Sequence, residues 1–297
     1  MFDVCVIGHV TRDIIAIRGR PAKSMPGGTA YYSAIAFASL GHGTAVVTRV
    51  APADEDALFE GLRGAGVHVS CRPSAATTLY ENTYPDDSLD VRRQEVGAVA
   101  DGFSERDVVD VRAAAYHVGT STSGDLAAGL LGRLAAKGAM VSLDVQGLLR
   151  QVDGRRVRLR DWPGKGTDFA GVDILKADLD EARILTGEES SERAARRLAE
   201  FGPADVIVSL GSGGSVVLSG GRLHRIAAVA PQRLVDATGC GDTYMAGYVS
   251  RRLKGEDAER AGRFAAALAT LKLERSGPFT GAEADVEARL RGAGPAG

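Results

Sequence analysis

Short, continuous apolar runs recur along the chain. Val4-Cys5-Val6-Ile7-Gly8 is followed by Ala45-Val46-Val47, Ala114-Ala115-Tyr116-His117-Val118, Met140-Val141-Ser142-Leu143-Asp144, Val172-Asp173-Ile174-Leu175 and Val206-Ile207-Val208-Ser209-Leu210. Such runs have the form of strands buried on both faces of a parallel sheet. Amphipathic stretches of helical length separate them, at Thr29 to Leu40, Glu55 to Gly64, Asp125 to Lys137, Asp180 to Thr186 and Glu192 to Phe201. The alternation predicts an α/β fold in three layers, with helices on both faces of a mostly parallel central sheet. Ligands of such folds collect beyond the carboxyl ends of the strands, so the residues that follow each run are the ones to read for chemistry.

Two segments break the alternation. Residues 10–20 and about 72–99 are rich in Thr, Tyr, Val and Arg and carry little helical periodicity. They are expected to form a small sheet standing off the main body as a lid, which would exclude water during group transfer. The extended form of the 72–99 segment would allow it to pair with its own copy in a homodimer, and the sequence leaves the oligomeric state open. The expected organisation is one domain over 1–291 and a flexible tail over 292–297, which contains only Gly, Ala and Pro.

Composition narrows the function classes. Of 297 residues, 44% are hydrophobic and 25% charged, an ordinary globular balance that disfavours disorder. Lys plus Arg number 36 against 38 Asp plus Glu, a net charge of -2 that offers no field for a polyanion. Nucleic acid is therefore not expected as a partner. Cys5, Cys71 and Cys240 are scattered with no CxxC pair, which argues against a disulfide framework or structural zinc and fits a reducing cytoplasm. No apolar stretch approaches the roughly 20 residues of a membrane span, and no membrane association is expected.

The strongest local chemistry lies at Asp236-Ala237-Thr238-Gly239-Cys240-Gly241-Asp242-Thr243, which runs into a helical stretch at Tyr244. Glycines at a helix start leave backbone N–H groups unpaired beside the positive end of the helix dipole, which together make an anion site. Asp242 would stand next to a transferring phosphoryl group as general base. The plainer reading is a capped helix, with Asp242 stabilising its N-terminus. The segment lacks the Gly-Lys-Ser/Thr ending of a Walker A loop, and Gly211-Ser212-Gly213-Gly214 lacks dinucleotide-fingerprint spacing. With no His or second Cys placed to activate it, Cys240 is not read as a nucleophile.

This stretch resembles the C-terminal signature of the ribokinase-like (PfkB) carbohydrate kinases, D-T-x-G-A-G-D-T/S, with Ala237 and Cys240 as departures. The resemblance implies Asp242 as catalytic base and Gly239, Cys240 and Gly241 as the backbone anion hole. Thr238 would border the ATP site, and Asp236 would lie near a monovalent-cation site, with K⁺ the candidate ion. Gly27-Gly28 ahead of the Thr29 helix resembles the family's first signature, which touches the acceptor; as residues alone they read as a turn before a core helix. Gly8 to Asp13 has the family spacing to an acceptor-binding carboxylate. Asp178 and Glu181 fall on the family's N-x-x-E motif, implied to organise Mg²⁺ through water, with Asp178 where Asn is usual. Both carboxylates also have a sound place at a helix start.

Ser209, Gly211 and Gly214 resemble the family's ATP-binding turn, while a ligand-free β-hairpin is the alternative. Ribokinases carry Asn at the position of Tyr32. Together with Asp144-Val145-Gln146 and Arg150, this makes the chain look most like the myo-inositol kinase branch. The function implied is transfer of the γ-phosphoryl group of ATP to a cyclic polyol or sugar, with Asp13, Gly27, Gly28, Tyr32, Gln146 and Arg150 around the acceptor. A nucleoside or ribose kinase of the same fold, and a non-catalytic sugar or nucleotide sensor, remain alternatives.

Overall fold

The computed structural model describes residues 1–17, 21–84 and 93–292. Parts of the expected lid segments 10–20 and 72–99, and the tail beyond 292, lie outside the described residues. In chain order the strands are β1 (Phe2–Ile7), β2 (Thr11–Ile17), β3 (Lys23–Gly27), β4 (Thr44–Val50), β5 (His68–Pro73), β6 (Leu79–Tyr84), β7 (Arg93–Ala98), β8 (Ala113–Gly119), β9 (Met140–Asp144), β10 (Arg150–Asp153), β11 (Arg156–Leu159), β12 (Ile174–Asp178), β13 (Asp205–Ser209), β14 (Ser215–Ser219) and β15 (Arg222–Ile226). Nine of them form the main sheet in the order β15-β14-β13-β12-β9-β8-β1-β4-β5. The pairs from β5 to β13 run parallel; β14 and β15 add an antiparallel edge.

The apolar runs read as they do because successive side chains leave a strand on opposite faces, and both faces are covered. Val4 and Val6 of β1 pack with the helices Thr29–Ser39, Cys240–Leu253 and Ala258–Leu273, whereas Cys5 and Ile7 pack into the opposite layer with Leu130, Leu185 and Leu198. The three-layer α/β expectation therefore describes the chain. The helix expected over Asp125 to Lys137 is confined to Leu130–Ala135, preceded by Gly129 at φ 75. Asp125 belongs to the preceding loop, which it ties together by accepting the N–H groups of Ser121 at 2.6 Å and Thr122 at 3.0 Å.

A second, four-stranded sheet in the order β3-β2-β6-β7 stands at the carboxyl side of β1. It is mixed, with β2 parallel to β6 and antiparallel to β3. Only part of the extended 72–99 segment joins it: Arg72 and Pro73 end β5 in the main sheet, paired with Arg49 and Val50. Strand β3 ends on Gly27, the first of the Gly-Gly pair, and has no periodicity that announces it. Among the described residues no helix is long and apolar enough to cross a membrane.

Candidate active site

A cavity of about 260 Å³ opens between the small sheet and the carboxyl ends of the main strands. It gathers Asp13, Gly28, Tyr32, Gln146, Arg150, Thr238, Gly239, Gly241 and Asp242 from across the sequence. Gly27, Cys240, Asp236, Asp178, Glu181, Ser209, Gly211 and Gly214 are outside its lining. Gly27 ends β3 against the Asp13 carboxylate, where a Cβ would come within 2.5 Å of Oδ2.

The floor is the start of the helix Cys240–Leu253. Gly239 has φ 75, and a Cβ there would fall 2.2 Å from the Tyr32 ring, so only glycine lets the turn lie on that ring. The Cys240 N–H is turned inward to Ala237 O at 3.2 Å. The Cys240 amide is therefore engaged within the turn, while the amides of Gly239, Gly241 and Asp242 have no backbone hydrogen bond among the described residues. Ser33 Oγ donates to Asp242 O at 3.1 Å, fixing the helix start against the helix Thr29–Ser39. Burial, and then the Asp144 carboxylate, push the Asp242 carboxyl up to about 6, while Thr29, Lys176 and Arg150 pull it back.

Beneath this turn lies Lys176, the middle residue of β12. Its ammonium donates to Asp144 Oδ2 at 2.7 Å, in a pair almost closed to solvent. A Cβ on Gly241 would stand 3.2 Å from Lys176 Nζ, so the ammonium sits directly against the turn. Burial alone would lower the Lys176 pKa, but Asp144 and Glu181 together raise it above the ordinary range. A buried, permanently charged ammonium beside unpaired N–H groups is a strong anion-stabilising arrangement. Sequence reading missed Lys176; the available signal was a lone cation inside the buried run Ile174-Leu175-Lys176-Ala177, which burial tolerates only with a partner.

The wall comes from the small four-stranded sheet and the segments that follow β8 and β9. Arg150 Nη2 donates to Gln94 Oε1 at 2.8 Å, and Gln94 Nε2 donates to Asn82 Oδ1 at 2.9 Å. The guanidinium lies 5.5 Å from the centre of the Tyr80 ring, and Tyr80 OH donates to Ser121 O at 2.8 Å. Thr11 Oγ1 donates to Asp13 Oδ1 at 2.8 Å. Thr120 Oγ1 is buried at the cavity edge with no hydrogen-bond partner among the described residues. Asn82, Gln94 and Thr120 were also missed, because uncharged polar residues on strands carry no local signature.

On the other side of β12, Asp178 and Glu181 cap the helix Leu179–Thr186. Asp178 Oδ1 accepts the Glu181 N–H at 2.8 Å, and Glu181 Oε2 accepts the Asp178 N–H at 2.8 Å. This reciprocal capping box uses one oxygen of each carboxylate. Burial holds the Glu181 carboxyl well above its usual range, despite the opposing Lys176 charge. Ser209, Gly211 and Gly214 form the β13–β14 hairpin turn, in which Leu210 N donates to Gly214 O at 2.8 Å. A Cβ on Gly214 would meet Ile226 O at 2.1 Å, so this glycine has a packing reason of its own.

The site combines a glycine-rich helix start, a buried carboxylate beside it and a polar pocket under the small sheet, an arrangement suited to phosphoryl transfer. Residues 154–285 match the pfkB family carbohydrate kinases. The chain is 31% identical over 109 residues to the ATP-dependent 6-phosphofructokinase of Thermoanaerobacterium thermosaccharolyticum, spanning about a third (34%) of that protein's length. Its likeness to the cytidine kinase of Thermococcus kodakarensis is 27% over 288 residues, or 94% of this chain and 99% of that one. A solved pyrophosphate-dependent kinase in the ribokinase family, complexed with a pyrophosphate analog and myo-inositol, superposes with a TM-score of 0.86 at 29% identity. That match covers 96% of this chain and 99% of the other. The pfkB match thus covers the C-terminal part of the chain, and nearly the whole chain shares the fold of a ribokinase-family kinase.

Proposed function

We propose that the protein transfers a terminal phosphoryl group from a polyphosphate donor to a hydroxyl of a small cyclic polyol of the inositol class. The observation that carries this reading is Asp242 at the mouth of the helix, on the floor of a pocket walled by Asp13, Asn82, Gln94, Gln146 and Arg150. A polyol presents hydroxyls in several directions and needs donors and acceptors that converge on it. Carboxylate, carboxamides and guanidinium supply both kinds. Thr120 Oγ1 adds a buried hydroxyl whose hydrogen bond a ligand would complete.

In the proposed reaction Asp242 accepts the proton of the attacking hydroxyl. The hydroxyl oxygen forms a bond to the terminal phosphorus, and the bond from that phosphorus to the bridging oxygen breaks, leaving the shortened donor. The Gly241 and Asp242 N–H groups and the Lys176 ammonium take up the charge of the phosphoryl oxygens. Asp178 and Glu181 each retain a carboxylate oxygen outside the capping box, which suits holding Mg²⁺ through its own waters. When bound, Mg²⁺ would neutralise donor phosphates. The lid sheet closes the pocket from water.

ATP is the donor that the family resemblance favours, with Ser209, Gly211, Gly214 and Thr238 on its side of the turn. Pyrophosphate is the second reading. It is supported by the likeness to the kinase compared above, which is pyrophosphate-dependent. The experiment is a matrix of inositols, pentoses, hexoses and nucleosides against ATP and pyrophosphate, read by phosphorylated product. Turnover confined to inositols supports the acceptor assignment. Preference for a nucleoside, or binding without any transfer, overturns it.

A further inference from the structure

The fully buried ammonium of Lys272 lies beside Asp236, the residue expected near a monovalent cation. Lys272 lies in the last turn of the helix Ala258–Leu273, and its side chain is 0% exposed. Its Nζ donates to Asp236 O at 2.7 Å and to Asp236 Oδ2 at 3.1 Å. The remaining carboxylate oxygen, Oδ1, accepts the Thr238 N–H at 2.9 Å. All three side-chain and carbonyl oxygens of Asp236 are therefore engaged by the chain itself, and a K⁺ ion there would have to share them with, or displace, a buried ammonium of the same charge. Burial works against the Asp236 charge, yet the Thr238 N–H and Lys272 hold its carboxyl below the usual range.

The same ammonium reaches the catalytic turn by a second route. It lies 5.7 Å from the centre of the Tyr32 ring, the ring on which Gly239 rests. The backbone before the turn is stitched to the end of the same helix, with Val235 N and Asp236 N donating to Leu273 O at 3.0 and 3.2 Å. A cation near the carboxyl end of a helix is also favoured by the helix dipole.

We infer that Lys272 is a built-in cation that positions the Asp236–Gly241 turn, so that phosphoryl transfer in this protein needs no monovalent metal ion. The inference rests on the phosphotransferase reading, and its test has an arm independent of turnover. Wild-type protein is assayed and melted in potassium, sodium and tetramethylammonium chloride at equal ionic strength. Equal turnover and equal melting temperature in all three are expected; a rise in either that is specific to potassium overturns the inference.

The Lys272→Met variant is expected to lose kcat by roughly ten- to a hundredfold, less than the loss of a direct oxyanion donor, with acceptor KM little changed. Potassium, but not tetramethylammonium, should restore part of that loss and raise the variant's melting temperature. Lys272→Arg should retain more activity than Lys272→Met. A Met variant with wild-type kcat, or one that melts and turns over identically in all three salts, overturns the positioning role. Should no donor and acceptor pair give product, the phosphotransferase reading fails, while the melting arm still decides whether Lys272 fills the cation's place.

Discussion

The floor and the wall of the pocket are built on different terms. The floor uses buried charges held in pairs: Lys176 with Asp144, and Asp242 raised by its burial. Asp144 ends β9, Lys176 lies at the middle of β12, and Asp242 stands in the first turn of a long helix, elements packed into the two apolar layers. The wall uses neutral carboxamides and one guanidinium in a chain, Arg150 to Gln94 to Asn82, carried on the small mixed sheet. Removing one member of a buried ion pair leaves an uncompensated charge, whereas exchanging one carboxamide removes only a hydrogen bond. Under the proposed function the floor would carry the chemistry, and the wall would be the part whose residues can change with the acceptor.

Breaking the floor should have the largest effects. Asp242→Asn is expected to lower kcat by about 10²–10⁴-fold, the usual worth of a positioned base, with donor and acceptor binding retained in calorimetry. Near-normal turnover would sink its role as base. The same variant sharpens the contrast through stability. Because the folded Asp242 carboxyl sits at about 6, above its ordinary value, its ionisation disfavours the fold: stability is full below the ordinary carboxylate range and falls as pH rises through about 6. Asn cannot ionise, so Asp242→Asn should melt higher than wild type at neutral pH and equal to it in acid. Lys176→Met is expected to cost roughly 10²–10³-fold in kcat and to lower the melting temperature, since Asp144 loses its counter-charge.

The pH profile tests the floor without mutation. If Asp242 must be ionised to take the proton, kcat/KM should be flat above neutrality and fall below about pH 6, following one protonation. A profile flat down to pH 5 would remove Asp242 from the reaction. At the wall, Gln94→Leu or Asn82→Leu is expected to raise acceptor KM by about tenfold with kcat nearly kept, the worth of one hydrogen bond to a ligand. Either variant should also change the ranking of inositols and sugars in a competition assay. A loss of kcat equal to the floor variants would erase the distinction between the two regions.

The division between floor and wall also explains what could be read from the sequence. The three layers were legible because β1, β8, β9, β12 and β13 are largely apolar on both faces, and the helix start at Cys240 was legible because glycines before a helical stretch mark such a start, while its chemistry was legible only through the resemblance of the whole stretch to a family signature. Lys176 was hidden because it lies within an apolar strand, and its partner Asp144 lies 32 positions away. The wall was hidden because β6 and β7 are largely polar, and because β10 brings Arg150 to Gln94 over a separation of 56 positions. Such pairings are set by topology, which no local periodicity encodes.

Cys240 provides the smallest expected effect and the most specific check on how the floor works. It sits inside the turn, yet its thiol faces inward, with Sγ 3.7 Å from Ala269 O. Burial pushes the thiol up to about 11, with Asp236 and Asp242 adding to the rise against the Lys272 charge. A thiol so rarely ionised is a poor nucleophile and a poor target for alkylation. If the floor acts through N–H groups and the Lys176 ammonium, Cys240→Ala should keep turnover within about twofold and acceptor KM unchanged, the effect expected of a substitution that removes no transition-state contact. Iodoacetamide should leave the wild-type rate intact on the assay timescale. A loss in Cys240→Ala comparable to that of Lys176→Met would mean that the side chain itself sets the turn, and would shift the weight of the floor from backbone donors to packing beneath them.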